Sequence, residues 1–243
     1  MSTQILRELR FLRAYALLTM PVLVVLSVSA FRAMQNHQFE EINAERINIV
    51  EQDGTIRLVL SNMKRSPAPV VRGKSFGPAG VRPGMIFYNA EGTEVGGLAF
   101  DSKTENGTYS AGGILTFDQY EQDQVVSLQY IDNNGKRYQG LTVLDRPDVS
   151  YFEVLEREEA IRQMADGPEQ DQAWKELSEF QGGVPYGAQR LFVGRDTSKA
   201  AVVSLSDRFG KPRLRFTVDS AGGASIAFLD ENGGVTYSLP EGE

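Results

Sequence analysis

The hydrophobic pattern divides the chain into one long apolar run near the N-terminus and a longer segment of short apolar stretches separated by polar turns. The run, residues 14–31, reads AYALLTMPVLVVLSVSAF and contains no charged residue. A helix needs about 20 apolar residues to cross a hydrocarbon core of about 30 Å. We therefore predict a transmembrane helix over residues 14–34, with Ala14, Pro21 and Phe31 among its anchor residues.

Charges beside the run predict its orientation. Three arginines precede it: Arg7, Arg10 and Arg13. Because Lys and Arg accumulate on the cytoplasmic side of a membrane, residues 1–13 are predicted to be cytoplasmic. Residues 35–243 then form a periplasmic domain on a single-pass protein of the inner membrane. The alternative is a secretory signal that is cleaved near Ala30, and it exports the same domain.

The rest of the chain repeats one hairpin pattern. An apolar alternating run ends in Asp, Glu or Asn, then two residues and a Gly precede the next run. The polar side chain can bond the turn backbone, and glycine supplies the positive φ that the turn requires. The turn-forming glycines are Gly54, Gly92, Gly135, Gly210 and Gly233. We predict an antiparallel meander of roughly ten to twelve strands, as a barrel or a two-layer sandwich, because both arrangements protect strand edges.

A helical pattern interrupts these strands at about residues 150–181. Ser150 and Glu153 have the spacing of a capping box, and Pro168 suits the first turn of a second helix. The predicted fold is therefore mainly β, with one N-terminal transmembrane helix and a two-helix insertion. The apolar stripes of the two helices either dock a partner or cover an open part of the β domain.

Composition excludes several kinds of chemistry. The chain has no cysteine, which excludes disulfides, thiolate metal sites and cysteine nucleophiles. Its single histidine, His37, cannot build a histidine-based metal cluster. The net charge of −7 argues against nucleic-acid binding, which needs a basic face. We predict no cofactor and no metal.

Two short motifs resemble catalytic signatures but lack their context. Gly73-Lys-Ser75 looks like the end of a phosphate loop, but Ala68 stands where the pattern requires its first glycine. Ser61 and Lys64 have the spacing of a Ser–Lys nucleophile pair, yet they follow a strand and precede a Pro-rich loop. We therefore predict no catalytic residue and a protein that is not an enzyme.

A long loop over residues 63–84 carries only positive charge and is rich in Pro and Gly. Long loops of this kind are often functional. Its cations are candidates for contact with lipid headgroups or with an acidic partner surface: Lys64, Arg65, Arg72, Lys74 and Arg82. The alternative is a solvated, semi-rigid crossover between two strands.

Two segments carry a resemblance to a known family. Residues 41–62, EINAERINIVEQDGTIRLVLSN, and residues 83–98, PGMIFYNAEGTEVGGL, resemble a family of bacterial envelope proteins of unknown function. The resemblance covers the anchor and the N-terminal part of the β domain well, and the C-terminal hairpins loosely. It implies an exported β domain on a membrane tether. Because the family has no known activity, it assigns no catalytic residue.

Three classes of function are open. The first is a membrane-anchored, non-catalytic structural protein that binds or stabilises a larger membrane protein complex, such as an accessory subunit of an energy-transducing or photosynthetic complex. The second is an envelope β-barrel that holds a lipid or small ligand in an apolar cavity of roughly 300 Å³ or more. The third is a glycan-acting envelope enzyme with two carboxylates about 5–10 Å apart in a cleft. We favour the first, with the membrane and another membrane protein as partners.

Overall fold

The computed structural model describes residues 3–33, 39–180 and 187–240, so His37 lies outside the described residues. The chain separates into an N-terminal unit, Met1–Asn43, and a β unit, Ala44–Glu243.

The N-terminal unit contains one helix, α1, which spans Thr3–Ala33 and continues through Pro21. Its stretch Gln4–Ser29 contains an 18-residue window with a mean hydropathy of 2.0 and is long and apolar enough to cross a membrane. Such length and composition suit a membrane anchor and a signal sequence equally. The helix begins well before the predicted anchor, because the arginine-containing segment in front of residue 14 is helical too.

The β unit is a meander of hairpins. Its strands are β1 Arg46–Val50, β2 Ile56–Ser61, β3 Val70–Val71, β4 Lys74–Ser75, β5 Gly84–Tyr88, β6 Glu94–Glu105, β7 Thr108–Asp118, β8 Gln124–Asn133, β9 Lys136–Asp145, β10 Ala188–Arg195, β11 Ala201–Ser206, β12 Pro212–Val218, β13 Ala224–Leu229 and β14 Val235–Leu239. Apart from the small β3–β4 hairpin, they form one 12-stranded antiparallel sheet in the order of the chain. The mainly β class and the antiparallel meander are confirmed.

The first and last strands of the large sheet do not pair with each other, so of the two expected arrangements the barrel is not formed. Its edges are β1 and β14, and the only other sheet among the described residues is the β3–β4 hairpin. A barrel needs its strands to be staggered so that the first can pair with the last. Here one line of paired residues runs straight across, from Asn48 in β1 to Ser238 in β14, so that stagger does not accumulate.

The hairpin turns follow the local chemistry of the repeated pattern. All five predicted turn glycines lie at positive φ, between 74° and 90°. In the turn at Asp230, one carboxylate oxygen accepts hydrogen bonds from the backbone N–H groups of Asn232 and Gly234, both at 2.8 Å. Asp219 does the same in a turn that the sequence analysis missed. The turn at Gly135 differs, because Asn134 and Gly135 both have positive φ, as in a two-residue type I′ hairpin.

The insertion is a pair of helices, α2 Tyr151–Arg162 and α3 Pro168–Phe180, which confirms the two-helix prediction. Val154, Ile161 and Leu177 are buried where the two helices pack against each other. Much of each apolar stripe is therefore used within the insertion itself. Ser150 is the N-cap residue of α2, but its side chain makes no capping hydrogen bond, so the capping-box prediction is wrong on that point.

Candidate interaction surface

One face of the large sheet is apolar from edge to edge. Residues that pair across an antiparallel sheet point to the same face, so the strand register defines rows of neighbouring side chains. The central row takes one apolar residue from every strand of the sheet: Ile47, Leu60, Met85, Leu98, Leu115, Leu128, Leu141, Val193, Val203, Phe216, Ile226 and Leu239.

A second row lies beside the central row on the same face. Its members are Ile49, Leu58, Phe87, Gly96, Phe117, Val126, Val143, Leu191, Leu205, Leu214, Phe228 and Tyr237. Neither row contains a charged residue. We call these two rows together the apolar face.

The described part of the chain leaves the apolar face uncovered. No residue of either row is buried except Gly96, which has no side chain to expose. Several of the large side chains are among the most exposed hydrophobic residues of the β unit, including Leu128 at 56% and Phe117 at 52%. Contiguous exposed apolar surface of this extent is rare in soluble monomers, which makes this face a candidate interaction surface.

The opposite face, which we call the polar face, differs in both composition and burial. Its middle row contains small polar residues that are buried in the sheet: Thr116, Ser127, Thr142 and Ser204. Near β2 and β5, the loop that carries β3 covers this face, where Val70 packs on Val59 and Ile86. The polar face therefore has its own covering elements, whereas the apolar face has none among the described residues.

An aromatic pair stiffens the polar face farther along the sheet. Phe192 of β10 stacks on Tyr138 of β9, with ring centroids 4.8 Å apart. The Phe192 ring lies over Gly140 and Gly194, where a Cβ atom would come within 2.7–2.8 Å of it. These two strand glycines make room for the ring, and the ring covers the backbone that they would otherwise expose.

Two of the open depressions on the β unit are formed mainly by strands of the large sheet. One, of about 600 Å³, lies mainly on the apolar face over strands β10 to β14. It is lined by Val193, Phe216 and Leu239 among others. The other, of about 360 Å³, lies mainly on the polar face beside Ala99 and Ile131. Neither is lined by two carboxylates, which the glycan-hydrolase alternative requires.

Most cations of the basic loop form ion pairs within the chain. The guanidinium of Arg72 donates to both oxygens of Glu121, and that of Arg82 donates to both oxygens of Glu94. The Lys74 ammonium lies 3.4 Å from a carboxylate oxygen of Glu156.

The remaining two cations are more exposed. Arg65 makes a long contact of 3.8 Å with Glu45, and Lys64 forms no ion pair with a described carboxylate. Contact of the basic loop with lipid or with an acidic partner stays a prediction.

The ion pairs of Arg72 and Lys74 attach the basic loop to the β7–β8 turn and to helix α2 of the insertion. Phe76, just after β4, packs edge-on against Phe152 of α2, with ring centroids 5.7 Å apart. The side-chain amide of Gln122 donates to the carbonyls of Pro147 and Val149, which lead into α2. The loop, the β7–β8 turn and α2 are thus held together by contacts between residues far apart in sequence.

A half-buried charged cluster lies at the same end of the sheet. Burial raises the pKa of the Asp118 carboxyl to about 7, and the negative charges of Asp123 and Glu94 add to the shift. One oxygen of Asp118 accepts no hydrogen bond from a described residue, whereas Arg146 forms an ion pair with Asp123 at 3.2 Å. Asp118 is therefore protonated more readily than an ordinary aspartate. The described residues contain no group of three or more potential metal ligands.

Comparison with known proteins adds no relative. No protein-family model, curated protein or solved structure matches this chain. The resemblance to bacterial envelope proteins therefore stays a prediction, and the apolar face and helix α1 are the features of this chain that bear on its function.

The apolar face is the functional feature that the sequence analysis missed. The signal was present, since strands such as Ile56–Ser61 and Pro212–Val218 alternate apolar and other residues. That alternation becomes a continuous face only when the register of every hairpin is known, because a shift of one residue would move a strand's apolar side chains to the other face.

Proposed function

We propose that this chain is a membrane-anchored, non-catalytic interaction protein whose extracytoplasmic β domain joins a larger protein assembly through the apolar face. Helix α1 is the membrane anchor, with its N-terminus in the cytoplasm. The apolar face is the observation that carries the proposal, because a sheet face of this composition is stable in water only when another surface covers it.

Membrane attachment strengthens such an interaction. A tether confines the β domain to the membrane surface, so that binding to a membrane-bound partner becomes effectively intramolecular. An open apolar face then needs no deep pocket and no charged anchor to bind. The two depressions give no support to catalysis, since neither combines two carboxylates.

The test compares two substitutions at neighbouring residues of β8 that lie on opposite faces. Leu128→Glu places a charge on the apolar face, whereas Gln129→Glu places the same charge on the polar face. The full-length tagged protein is cross-linked in native membranes, purified in mild detergent and examined by mass spectrometry. We expect a stoichiometric protein adduct for the wild type and for Gln129→Glu, and its loss for Leu128→Glu. An adduct that Leu128→Glu leaves intact would contradict the proposal.

The orientation is tested with the same cysteine-free chain. A single cysteine at Ser198, an exposed residue in the β10–β11 turn, should react with a membrane-impermeant maleimide in intact cells whose outer membrane is permeabilised. A single cysteine at Gln4, in the first turn of α1, should react only after lysis. The reverse pattern would overturn the proposed topology.

A second candidate function is the binding of an apolar ligand. The depression of about 600 Å³ exceeds the volume expected for such a site, although it is open and the sheet does not form the barrel that was expected to enclose a ligand. Lipid extracted with the purified protein should then disappear when Phe216→Glu introduces a charge there. Unchanged lipid content would remove this candidate.

A further inference from the structure

We infer that the surface covering the apolar face is the apolar face of a second copy of this chain, so that two sheets form the two layers of a sandwich. This inference rests on the proposed function, since it names the partner of the same face. The described β unit supplies one layer whose apolar face is uncovered, and a second copy supplies the missing layer.

The size of the apolar face fits a stable dimer. Twelve strands about 4.8 Å apart make the face about 50 Å wide, and two rows of side chains cover about 14 Å along the strands. The footprint is therefore roughly 700 Å² on each copy, or about 1,400 Å² in total. Stable protein–protein interfaces typically bury about 1,200–2,000 Å² in total.

The chemistry of the apolar face is self-complementary. Because neither row contains a charged residue, two copies meet without placing like charges against each other in the centre of the interface. Two apolar sheet faces pack about 10 Å apart in ordinary β-sandwiches, and twofold pairing of identical faces is the commonest form of oligomer. A membrane surface is a poorer cover, because its headgroup layer is polar and offers no apolar surface to the two rows.

The membrane tether favours pairing of identical copies. Every copy carries α1, so all copies are confined to the same membrane and oriented in the same way. Confinement raises the effective concentration of one β unit around another. Self-association therefore requires only a modest contribution from each apolar side chain.

The middle of the sheet is the place to detect the pairing. Strands β8 and β9 are the central pair of the 12-stranded order, and Leu128 and Leu141 are their central-row residues. In a twofold pairing centred on the apolar face, these residues lie closest to the same strands of the second copy. A cysteine at Leu128 is then within reach of its own counterpart, whereas one at Gln129 points away from it.

The experiment uses disulfide formation in native membranes, without detergent. The natural chain has no cysteine, so each variant carries a single thiol. With a mild oxidant, we expect most Leu128→Cys chains to become a species of twice the monomer mass and Gln129→Cys chains to remain monomers. Adding Leu141→Glu to Leu128→Cys should abolish the dimer. Circular dichroism of each purified variant checks that the β unit has folded.

The outcomes separate this inference from the proposed function. A Leu128→Cys dimer that persists when Leu141→Glu is added would overturn face-to-face pairing. A Leu128→Cys adduct with a different protein would overturn the self-pairing and leave the proposed function intact. An unmodified thiol at Leu128 that also forms no adduct with any protein would overturn both.

Discussion

Leu128 lies directly opposite Leu141 across β8 and β9, and these two central leucines are 56% and 36% exposed. Cross-strand leucines in the middle of a sheet would ordinarily belong to a core. Here they lie on the apolar face, which no described element covers, and this position connects the fold to the proposed interaction.

Replacing both leucines by threonine should weaken association without unfolding the sheet. Threonine has the β-branched shape that strands favour but a smaller apolar area than leucine. We expect the melting temperature of the wild-type full chain in mild detergent to fall on dilution, because dissociation is concentration-dependent. The double variant Leu128→Thr/Leu141→Thr should melt at a lower temperature that no longer depends on concentration.

The control for this prediction is Gln129→Thr on the polar face, which should behave like the wild type. Equal dilution dependence in the double variant and the wild type would show that the apolar face is not where the protein associates.

Gly140→Ala should destabilise the β unit because the new methyl group has no space. Its Cβ would lie 2.4 Å from the carbonyl oxygen of Val193 and 2.7 Å from the Phe192 ring. We expect a loss of roughly 1–3 kcal/mol in the free energy of unfolding, measured by urea denaturation.

Gly113→Ala is the matched control, since its Cβ would meet no atom closer than 3.8 Å. It should change the unfolding free energy by less than about 0.5 kcal/mol. Equal losses in the two variants would argue against close packing of Phe192 over Gly140.

Asp118→Asn should stabilise the protein at neutral pH and have little effect in acid. Burial raises the pKa of Asp118 from 3.8 to about 7, so the folded state binds a proton more tightly than the unfolded state. The stabilisation from this proton is complete below about pH 4 and is lost as the pH rises through about 7. Because asparagine does not ionise, the Asp118→Asn variant does not lose this stability as the pH rises.

We expect a gain of roughly 1–3 kcal/mol at pH 8 and none near pH 4, measured as the pH dependence of urea unfolding. Asp101→Asn changes an exposed carboxylate on β6 and should leave the curve of the wild type unaltered. A gain for Asp118→Asn that is equally large at pH 4 would contradict the assigned cause.

Phe76→Ala should loosen the helical insertion without affecting the distant strands. Phe76 is buried against Phe152, and a large-to-small change at such a site costs roughly 3 kcal/mol. Hydrogen exchange followed by mass spectrometry should show faster exchange in α2, with unchanged protection in β12 and β13. Phe209→Ala, at an exposed phenylalanine, should leave both regions unchanged.

Helix α1, the turn glycines and the helical insertion could all be predicted because their signals are local. An apolar run of helical length needs no tertiary information, and a carboxylate such as Asp230 bonds N–H groups only two and four residues away. The missed turn at Asp219 has the same Asp-x-x-Gly spelling as the turns that were found. Its signal in the sequence is therefore equally local.

The role of the basic loop could not be predicted, because its partners are distant in the chain. Arg72 meets Glu121 at a separation of 49 residues, and Lys74 meets Glu156 at a separation of 82. A run of uncompensated cations in sequence thus becomes a set of ion pairs in space. Only tertiary contacts show which of these charges are already used.

Local patterns specify that this chain has an apolar helix and a series of antiparallel hairpins, since turn chemistry and alternation act over a few residues. Whether the sheet built from those hairpins closes or stays open depends on the offset between neighbouring strands, summed over all 12 strands. No single segment of the sequence contains that sum. The tertiary structure keeps the rows in straight register and covers part of the polar face but none of the apolar face. For this physical reason, the central leucines Leu128 and Leu141 lie on a surface that no described element covers.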